Sequence, residues 1–384
     1  MTALPPTEAS VRLGPGILQT APTRISVLAP ADLSEAQISA WRRLQGDSLL
    51  LGSPYLTPEY LRITAAVRAG VAVAVAEAGG VPVGFLPFER HARGIGKPVG
   101  GPLCDVQAVI ADPGWDWDAR DLVRAAGLQV LDFTHLRADQ RPFTAFHRSV
   151  TESHVIDLGR GFEEYVRERR AARVEGGGTG LPHHAPARLR KLQRDVGEVR
   201  FEHHDPDPRT LHLLLRWKSR HYSRTGSPDA FAHRWCVDLI ERIHAQQGEH
   251  LSGMLSTLSA GGRIIAAHMG MRSRNVWHWW FPSYDPAYAA YSPGFLLLVE
   301  VCRHAAQAGI RFIELGAGGE SYKLKMSNAS IPEAAGFVGL PSVPALLRRL
   351  RDGSLDLAAR LPIGPAAEWP ARALCRYERI MRYR

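Results

Sequence analysis

The chain predicts a protein of the α/β (α+β) class built as two tandem lobes, each a mixed β-sheet flanked by helices. Three observations carry this. Ala78-Gly79-Gly80 separates the apolar runs Val71 to Ala76 and Val81 to Phe88, and Ala260-Gly261-Gly262 separates Met254 to Leu258 from Ile264 to Met271. Ala126-Gly127 leads into Leu128 to Phe133, just as Ala308-Gly309 leads into Ile310 to Leu315. Gly79 and Gly261 are 182 residues apart, and so are Gly127 and Gly309. One offset across landmarks of different kinds marks a duplication. Strands alternating with helices inside each copy make both copies mixed α/β units. Val81 to Phe88 and Ile264 to Met271 are therefore expected on equivalent strands.

Composition sets the bounds. With 384 residues, 45% hydrophobic and 22% charged, the chain suits two globular domains with their own cores. A net charge of +9 favours anionic partners such as phosphorylated cofactors, nucleic acids or acidic headgroups, and it also aids solubility. Cys104, Cys236, Cys302 and Cys375 lie far apart without zinc-type spacing, which points to a reducing compartment and no metal. Residues 1–24, rich in Pro, Thr and Gly, read as a disordered leader lacking signal-peptide character. No apolar run is long enough to span a bilayer, so a cytoplasmic protein is expected.

Residues 25–160 form the first lobe. Ile25 to Ala29 is a short strand, and Ser34 N-caps a helix reaching Leu44, with Glu35 early and Arg42 and Arg43 late. The Gly79-Gly80 hairpin follows, then Gly94 to Gly101 as a loop, a helix over Asp116 to Ala126 and a strand over Leu128 to Phe133. Residues 161–195 are a basic interlobe helix interrupted by Gly176 to Gly180 and His183-His184, an insertion read as solvated rather than metal-binding. Residues 196–340 repeat the plan. A helix over Leu211 to His221 carries Trp217-Lys218 where the first lobe carries Trp41-Arg42. The hairpin comes next, then a strand over Asn275 to Phe281, a helix over Pro293 to Ala308 and a strand over Arg311 to Leu315. Residues 341–384 are a basic amphipathic tail, suited to docking on the parent fold or to peripheral contact with an anionic membrane.

The chemistry concentrates after Asn275. The strand ends in Pro282-Ser283-Tyr284-Asp285-Pro286, and Tyr291-Ser292-Pro293-Gly294-Phe295 then opens an apolar helix. Ser292 is placed to N-cap that helix and Pro293 to occupy its first position. Gly294 allows close ligand approach, and the following N–H groups at the positive helix end suit a pyrophosphate. Splaying of the two flanking parallel strands at their C-terminal ends makes room for an extended thioester. The first lobe offers Asp112-Pro113-Gly114-Trp115-Asp116 at the matching place, whose carboxylates repel a pyrophosphate.

The hairpin, the strand ending Trp279-Trp280-Phe281-Pro282-Ser283-Tyr284-Asp285-Pro286, the Tyr291-Ser292-Pro293-Gly294 helix start and Glu314-Leu315-Gly316-Ala317-Gly318-Gly319-Glu320-Ser321-Tyr322-Lys323 resemble the GNAT acyltransferase superfamily. Within it they are similar to the two-lobed CelD-like branch associated with cellulose and polysaccharide biosynthesis, related in plan to the Fem peptidyltransferases. The resemblance implies tandem GNAT-like lobes and acyl-CoA as donor, acetyl-CoA first among them, with its pyrophosphate at Ser292 to Phe295. It also implies that the backbone near Phe281 holds the thioester. Tyr291 and Lys323 join the cofactor-binding set.

Acyl transfer to an amine needs a base, an oxyanion donor and an acid for the thiolate. Asp285, Glu314 and His268 are the base candidates. Asp285 equally serves a turn before Pro286, His268 equally serves the core, and Glu314 is either paired or an elevated-pKa base. Tyr322, with Lys323 beside it to lower its pKa, is the preferred acid, and Tyr291 the next. Trp277, Trp279 and Trp280 line an acceptor cleft or pack in the core. The expected function is N-acylation of a sugar, polysaccharide precursor or related small metabolite. An aminoacyl-tRNA-dependent transferase and a non-catalytic accessory of polysaccharide synthesis are the alternatives.

Overall fold

The computed structural model describes residues 23–46, 48–172 and 182–360. Almost all of the leader, the glycine-rich insertion and the last part of the basic tail, with Cys375, lie outside the described residues. The first half runs β1 (Thr23–Leu28), α1 (Glu35–Gln45), α2 (Pro58–Ala65), β2 (Val71–Ala78), β3 (Val81–His91), β4 (Ile95–Lys97), β5 (Ile110–Ala111), α3 (Ala119–Ala125), β6 (Val130–Arg137) and β7 (His147–Asp157). Helices α4 (Phe162–Ala171) and α5 (Ala185–Val196) follow. The second half runs β8 (Val199–Glu202), α6 (Pro208–Thr225), α7 (Arg234–Ala245), β9 (Ser252–Ala260), β10 (Arg263–Arg272), β11 (Val276–Tyr284), α8 (Pro293–Gln307), β12 (Phe312–Ala317), α9 (Ser321–Met326), β13 (Ala329–Gly339) and α10 (Val343–Arg360).

Local chemistry accounts for many of these boundaries. Ser34 and Gln37 form a reciprocal capping box at the start of α1, and Gly46 ends that helix. The β2–β3 turn places Gly79 and Gly80 at φ 59° and 80°, and the β9–β10 turn places Gly261 and Gly262 at 56° and 76°. Two consecutive left-handed residues match the twist of the flanking strands, which is why Gly-Gly closes both hairpins. The stretch Gly94 to Gly101 is not all loop. It contains β4, paired with β3 on one side and β6 on the other, where Gly96 lets the backbone pack onto Leu128 and Leu131. Tertiary pairing here overrides weak strand propensity.

Hydrogen bonding joins the strands into a single sheet in the order β1-β2-β3-β4-β6-β13-β7-β12-β11-β10-β9-β8, with β5 on β3. Val81 to Phe88 lies in β3 and Ile264 to Met271 in β10, each third from its outer edge. The mixed sheets of the two lobes are continuous with each other. The last strand of each half crosses over, so that β13 pairs with β6 and β7 with β12, and β7 and β13 pair with each other. Left unpaired, β6 and β12 would each present an open row of backbone donors and acceptors. The exchange closes both edges.

The helices share cores across the two halves. On one face α1, α2, α6 and α7 pack together over Val75, Phe85, Leu255 and Met269. On the other face of the second half, α8, α5 and α4 cover Trp277, Trp279, Leu258 and Ile313. Cys104, Cys236 and Cys302 are buried and unpaired.

Candidate active site

Two irregularities open the centre of the sheet. Strand β11 pairs in parallel with β12 only at Val276 with Phe312, Trp277 with Ile313 and His278 with Glu314. Against β10, β11 carries an extra residue between His278 and Phe281, opposite Gly270. Against β7, β12 carries an extra residue at Leu315, followed by Gly316 at φ 75°. Bulges bend the strand that contains them. With both bulges at one level, β11 continues along β10 and β12 along β7, leaving a V-shaped gap between them.

Two adjoining cavities occupy this gap. The more apolar one, about 470 Å³, lies between α6, the end of β11 and the start of α8, and touches Trp217, Arg220, Arg224, Gly294, Phe295 and Leu298. The more polar one, about 280 Å³, lies between the arms of the V and touches Asp105, His135, Trp280, Gly316, Ala317 and Glu320. Lys218, His221, Trp279, Pro282 and Tyr322 border both. An extended molecule in the first cavity thus ends at the second.

The Tyr291 to Phe295 turn differs from the expected cap. Ser292 is left-handed at φ 55°, and its side chain makes no capping bond. Instead its Oγ accepts from Arg188 Nη1 at 2.6 Å, while its carbonyl accepts from Phe295 and Leu296 N–H. Some N–H groups expected to be free for a ligand are therefore closed inside the turn. Arg188 lies over the Phe295 ring and Lys191 over Tyr291, so α5 brings cations to this helix start. A Cβ on Gly294 would meet only Tyr284, at an ordinary 3.5 Å, so the space at Gly294 faces the cavity. In the first half, Asp118 caps α3 with its own carboxylate, accepting from Arg120 and Asp121 N–H.

The base candidates fall elsewhere. His268 is fully buried, stacks on Trp279, and accepts the Trp280 N–H through Nε2 at 3.1 Å. That N–H belongs to the bulge, so His268 serves the sheet irregularity. Burial, with His278 and Lys218 nearby, holds it well below the usual histidine range, in the neutral form an acceptor needs. Asp285 accepts from Ala287 N–H and caps the 3-10 turn after β11, outside both cavities. Glu314 is fully buried, bound by Arg137, Ser53 Oγ at 2.7 Å and His278. Burial pushes its carboxyl up, but Arg137, then His278 and Ser53, bring it down to about 2. Of the two alternatives, paired or poised with an elevated pKa, these contacts favour the paired one, and Glu314 is a fixed anion. Asp132, which the 182-residue offset places opposite Glu314, pairs with Arg348.

The acid candidates change as well. Tyr322 borders both cavities beside Trp279, but burial and the Glu320 carboxylate push its phenol well up. Lys323 does not lower it. The ammonium donates to Ala317 O at 2.6 Å and lies 3.3 Å from Glu320. Tyr291 lies outside both cavities, its hydroxyl donating to Asp195 at 3.4 Å. Phe281 belongs to the arm of β11 that borders the gap, with its ring packed on Phe231. Trp277 is core, whereas Trp279 and Trp280 line the polar cavity from opposite faces of β11; the bulge then leaves Trp280 and Phe281 on the same face.

Several site residues carry no local sequence signal. Asp105 and His135 come from the first half. His278, inside the Trp277 to Trp280 run, donates from Nε2 to Asp105 at 3.2 Å, and Asp105 and Glu314 raise it to about 9 against the opposing effect of burial. Lys218 is pushed down to about 8, chiefly by burial. The Trp217-Lys218 match with Trp41-Arg42 is the one clue that marked it.

Residues 185–324 match the family described as Acetyltransferase (GNAT) domain. Among solved structures, FemX aligns with TM-score 0.52 and 8% identity, covering 85% of this chain and 99% of its own. A tandem GNAT protein from the clavulanic acid biosynthesis pathway aligns at 0.45 and 12% over 84% and 100%. A GCN5-related N-acetyltransferase from Sphaerobacter thermophilus aligns at 0.36 and 12% over 83% and 97%. No curated protein matches the sequence. The segment matched to that family supplies α6 and β11 to both cavities, α8 to the apolar one and β12 to the polar one.

Proposed function

We propose that the protein transfers an acyl group from an acyl-CoA, acetyl-CoA first among them, to an amine on a sugar, polysaccharide precursor or related small metabolite. The observation that carries this reading is the junction of an apolar channel with a polar pocket at the gap between β11 and β12. The pantetheine arm would run through the apolar cavity, its phosphates near Gly294 and the Arg220, Arg224 and Arg188 cations. Backbone N–H groups of β11 beyond His278, released from pairing with β12, would face the thioester and receive its developing oxyanion. Attack by the amine forms the C–N bond, and collapse of the tetrahedral intermediate breaks the C–S bond, with the Tyr322 hydroxyl at the junction to meet sulfur. The resemblance to the CelD-like branch supports a saccharide acceptor, as does the mixture of carboxylates and cations around the polar cavity.

The basic face of α5, with Arg190, Lys191 and Arg194 exposed, would serve a tRNA phosphate backbone as readily as CoA phosphates. On α10, Val343, Leu346, Leu347 and Leu350 are exposed beside Arg349, and this row is where peripheral contact with an anionic membrane would form. No helix among the described residues is long and apolar enough to cross a membrane.

Calorimetry with acetyl-CoA, longer acyl-CoAs and tRNA in parallel tests the donor. Saturable binding of an acyl-CoA is expected in the parent, with loss of at least about tenfold in affinity for Gly294→Val at unchanged melting temperature. Undiminished affinity in that variant, or preference for tRNA, sinks the assignment.

A further inference from the structure

The chain is sparing with lysine. Of its 47 lysines and arginines only five are lysine: Lys97, Lys191, Lys218, Lys323 and Lys325. Two of the five, Lys218 and Lys323, border the polar cavity. A guanidinium keeps its proton in any protein setting, whereas a buried ammonium can give one up. Lysine at these positions therefore supplies what arginine does not, a compact cation or a nitrogen that can be freed.

The two lysines are held differently. Lys323 Nζ donates to Ala317 O at 2.6 Å and lies 3.3 Å from Glu320 Oε2, so its protons are engaged. Lys218, on α6, has no hydrogen bond or ion pair with any described residue, and its Nζ lies 5.3 Å over the Tyr222 ring. It borders the apolar cavity as well as the polar one. Across the cavity Glu320 favours its ammonium and Lys323 opposes it, while His221 on the same helix and His268 on β10 lie within its field. Burial outweighs these charges and pushes Lys218 down to about 8. At pH 7.5 about a quarter of such lysines are neutral, against about one in a thousand for an exposed one.

We infer that Lys218 is a self-acylation site: with a donor bound and no acceptor in the polar cavity, its Nζ takes the acyl group from the thioester. The inference rests on the acyl-transfer reading above, which brings the thioester to the junction of the two cavities, and it gives the acyl group a second destination. Lys323 is tied down, Lys191 lies over the Tyr291 ring outside both cavities, and Lys97 and Lys325 border neither. An amine and a thioester held at one junction react as if within one molecule, which favours Lys218 over every lysine that must meet the donor from solution.

The reaction balances. The Lys218 ammonium loses one proton to solvent, and the freed lone pair forms the bond to the thioester carbon while the carbonyl π pair moves to oxygen. Collapse of the oxyanion breaks the C–S bond, and a second nitrogen proton goes to the departing sulfur. The products are an Nε-acyl-lysine, a free thiol and one proton. The new amide is neutral and does not pass the acyl group on. It removes a cation from the cavity border and fills part of the junction that the thioester must reach. Self-acylation thus closes the site when donor is plentiful and acceptor is scarce.

Incubating the full chain with acetyl-CoA at pH 7.5, followed by intact-mass measurement and peptide mapping, tests this. One acetyl group per chain is expected, on Lys218, at a rate at least about tenfold above that of any other lysine. Lys218→Arg keeps the charge and should gain no acetyl group at that rate. Gly294→Val should slow labelling of Lys218 by about tenfold at subsaturating acetyl-CoA, in step with its loss of donor affinity. A parent that binds acetyl-CoA in calorimetry but leaves Lys218 unmodified, or acetylates it no faster than Lys97, overturns the self-acylation site alone. Labelling that persists at the parent rate in Gly294→Val after donor affinity has fallen reports reaction with free acetyl-CoA and overturns it as well. A parent that does not bind acetyl-CoA overturns it together with the donor reading.

Discussion

Tyr322 sits where the two cavities meet, and its environment decides what it can do there. Burial and Glu320 destabilise the phenolate, so the phenol is a weaker acid than in water. A thiolate is a weaker base than such a phenolate, and full proton transfer from Tyr322 to sulfur runs uphill. Hydrogen-bond donation to the departing sulfur remains available. A hydrogen bond to a charged group is worth about 1.5–3 kcal/mol, so Tyr322→Phe should lower acyl transfer by about 10–100-fold in single turnover at saturating donor. Loss of a full general acid would instead cost about 10²–10⁴-fold. Donor affinity should remain within about threefold, since the contact strengthens only as charge develops on sulfur. Turnover near the parent value would remove Tyr322 from the chemistry.

Helices α5 and α8 form a clasp around the donor end of the site. Arg188 holds Ser292 Oγ and lies 5.7 Å over the Phe295 ring, Lys191 lies 5.7 Å over the Tyr291 ring, and Tyr291 reaches back to Asp195. Ser292 is one of two non-glycine residues with positive φ among the described residues. A serine in that conformation is strained by about 1–3 kcal/mol and persists only where its surroundings hold it. Arg188→Ala removes the hydrogen bond and a nearby cation together. The expected result is about tenfold weaker acyl-CoA binding, with kcat at saturating donor unchanged. Steady-state kinetics over a range of donor concentrations reads this directly, and a fall in kcat with constant KM would contradict it.

The whole molecule is joined through a buried charge network. Arg137 of β6 meets Glu314 of β12 and Glu333 of β13, while His278 of β11 links Glu314 to Asp105. Arg137 and both glutamates are almost completely buried. Arg137→Met would strand two carboxylates without their cation, costing about 3–5 kcal/mol in a denaturant titration. The network also gives stability a pH window. Glu314 is depressed from 4.5 to about 2, so its contribution is full above pH 4.5 and fades as pH falls toward 2. His278 is raised from 6.5 to about 9, so its contribution is full below pH 6.5 and fades as pH rises through 9. Between these limits both contributions are present. Unfolding free energies from urea titrations should fall by about 2–3 kcal/mol between pH 6.5 and 9, and His278→Gln should flatten that slope. A parent protein with constant stability across that interval would argue against a charged His278.

The sequence alone determined what local rules govern: both Gly-Gly hairpins, the α1 capping box, the helix start at Pro293 and the order of strands around it. These depend on backbone conformations and residue periodicities that a few neighbours fix. Ser292 was legible as a helix start but not as a left-handed residue, because its partner Arg188 lies 104 residues away. Glu314 was legible as paired or poised, and only the buried Arg137 decided between them. Asp105 and His135 carried no local mark, since their partners His278 and Glu333 are 173 and 198 residues distant. The exchange of β7 and β13 was equally invisible, because either copy could have paired its last strand at home. Tertiary structure settled these points for one physical reason: edge pairing and pKa depend on which groups are buried together, and burial is a property of the assembled chain.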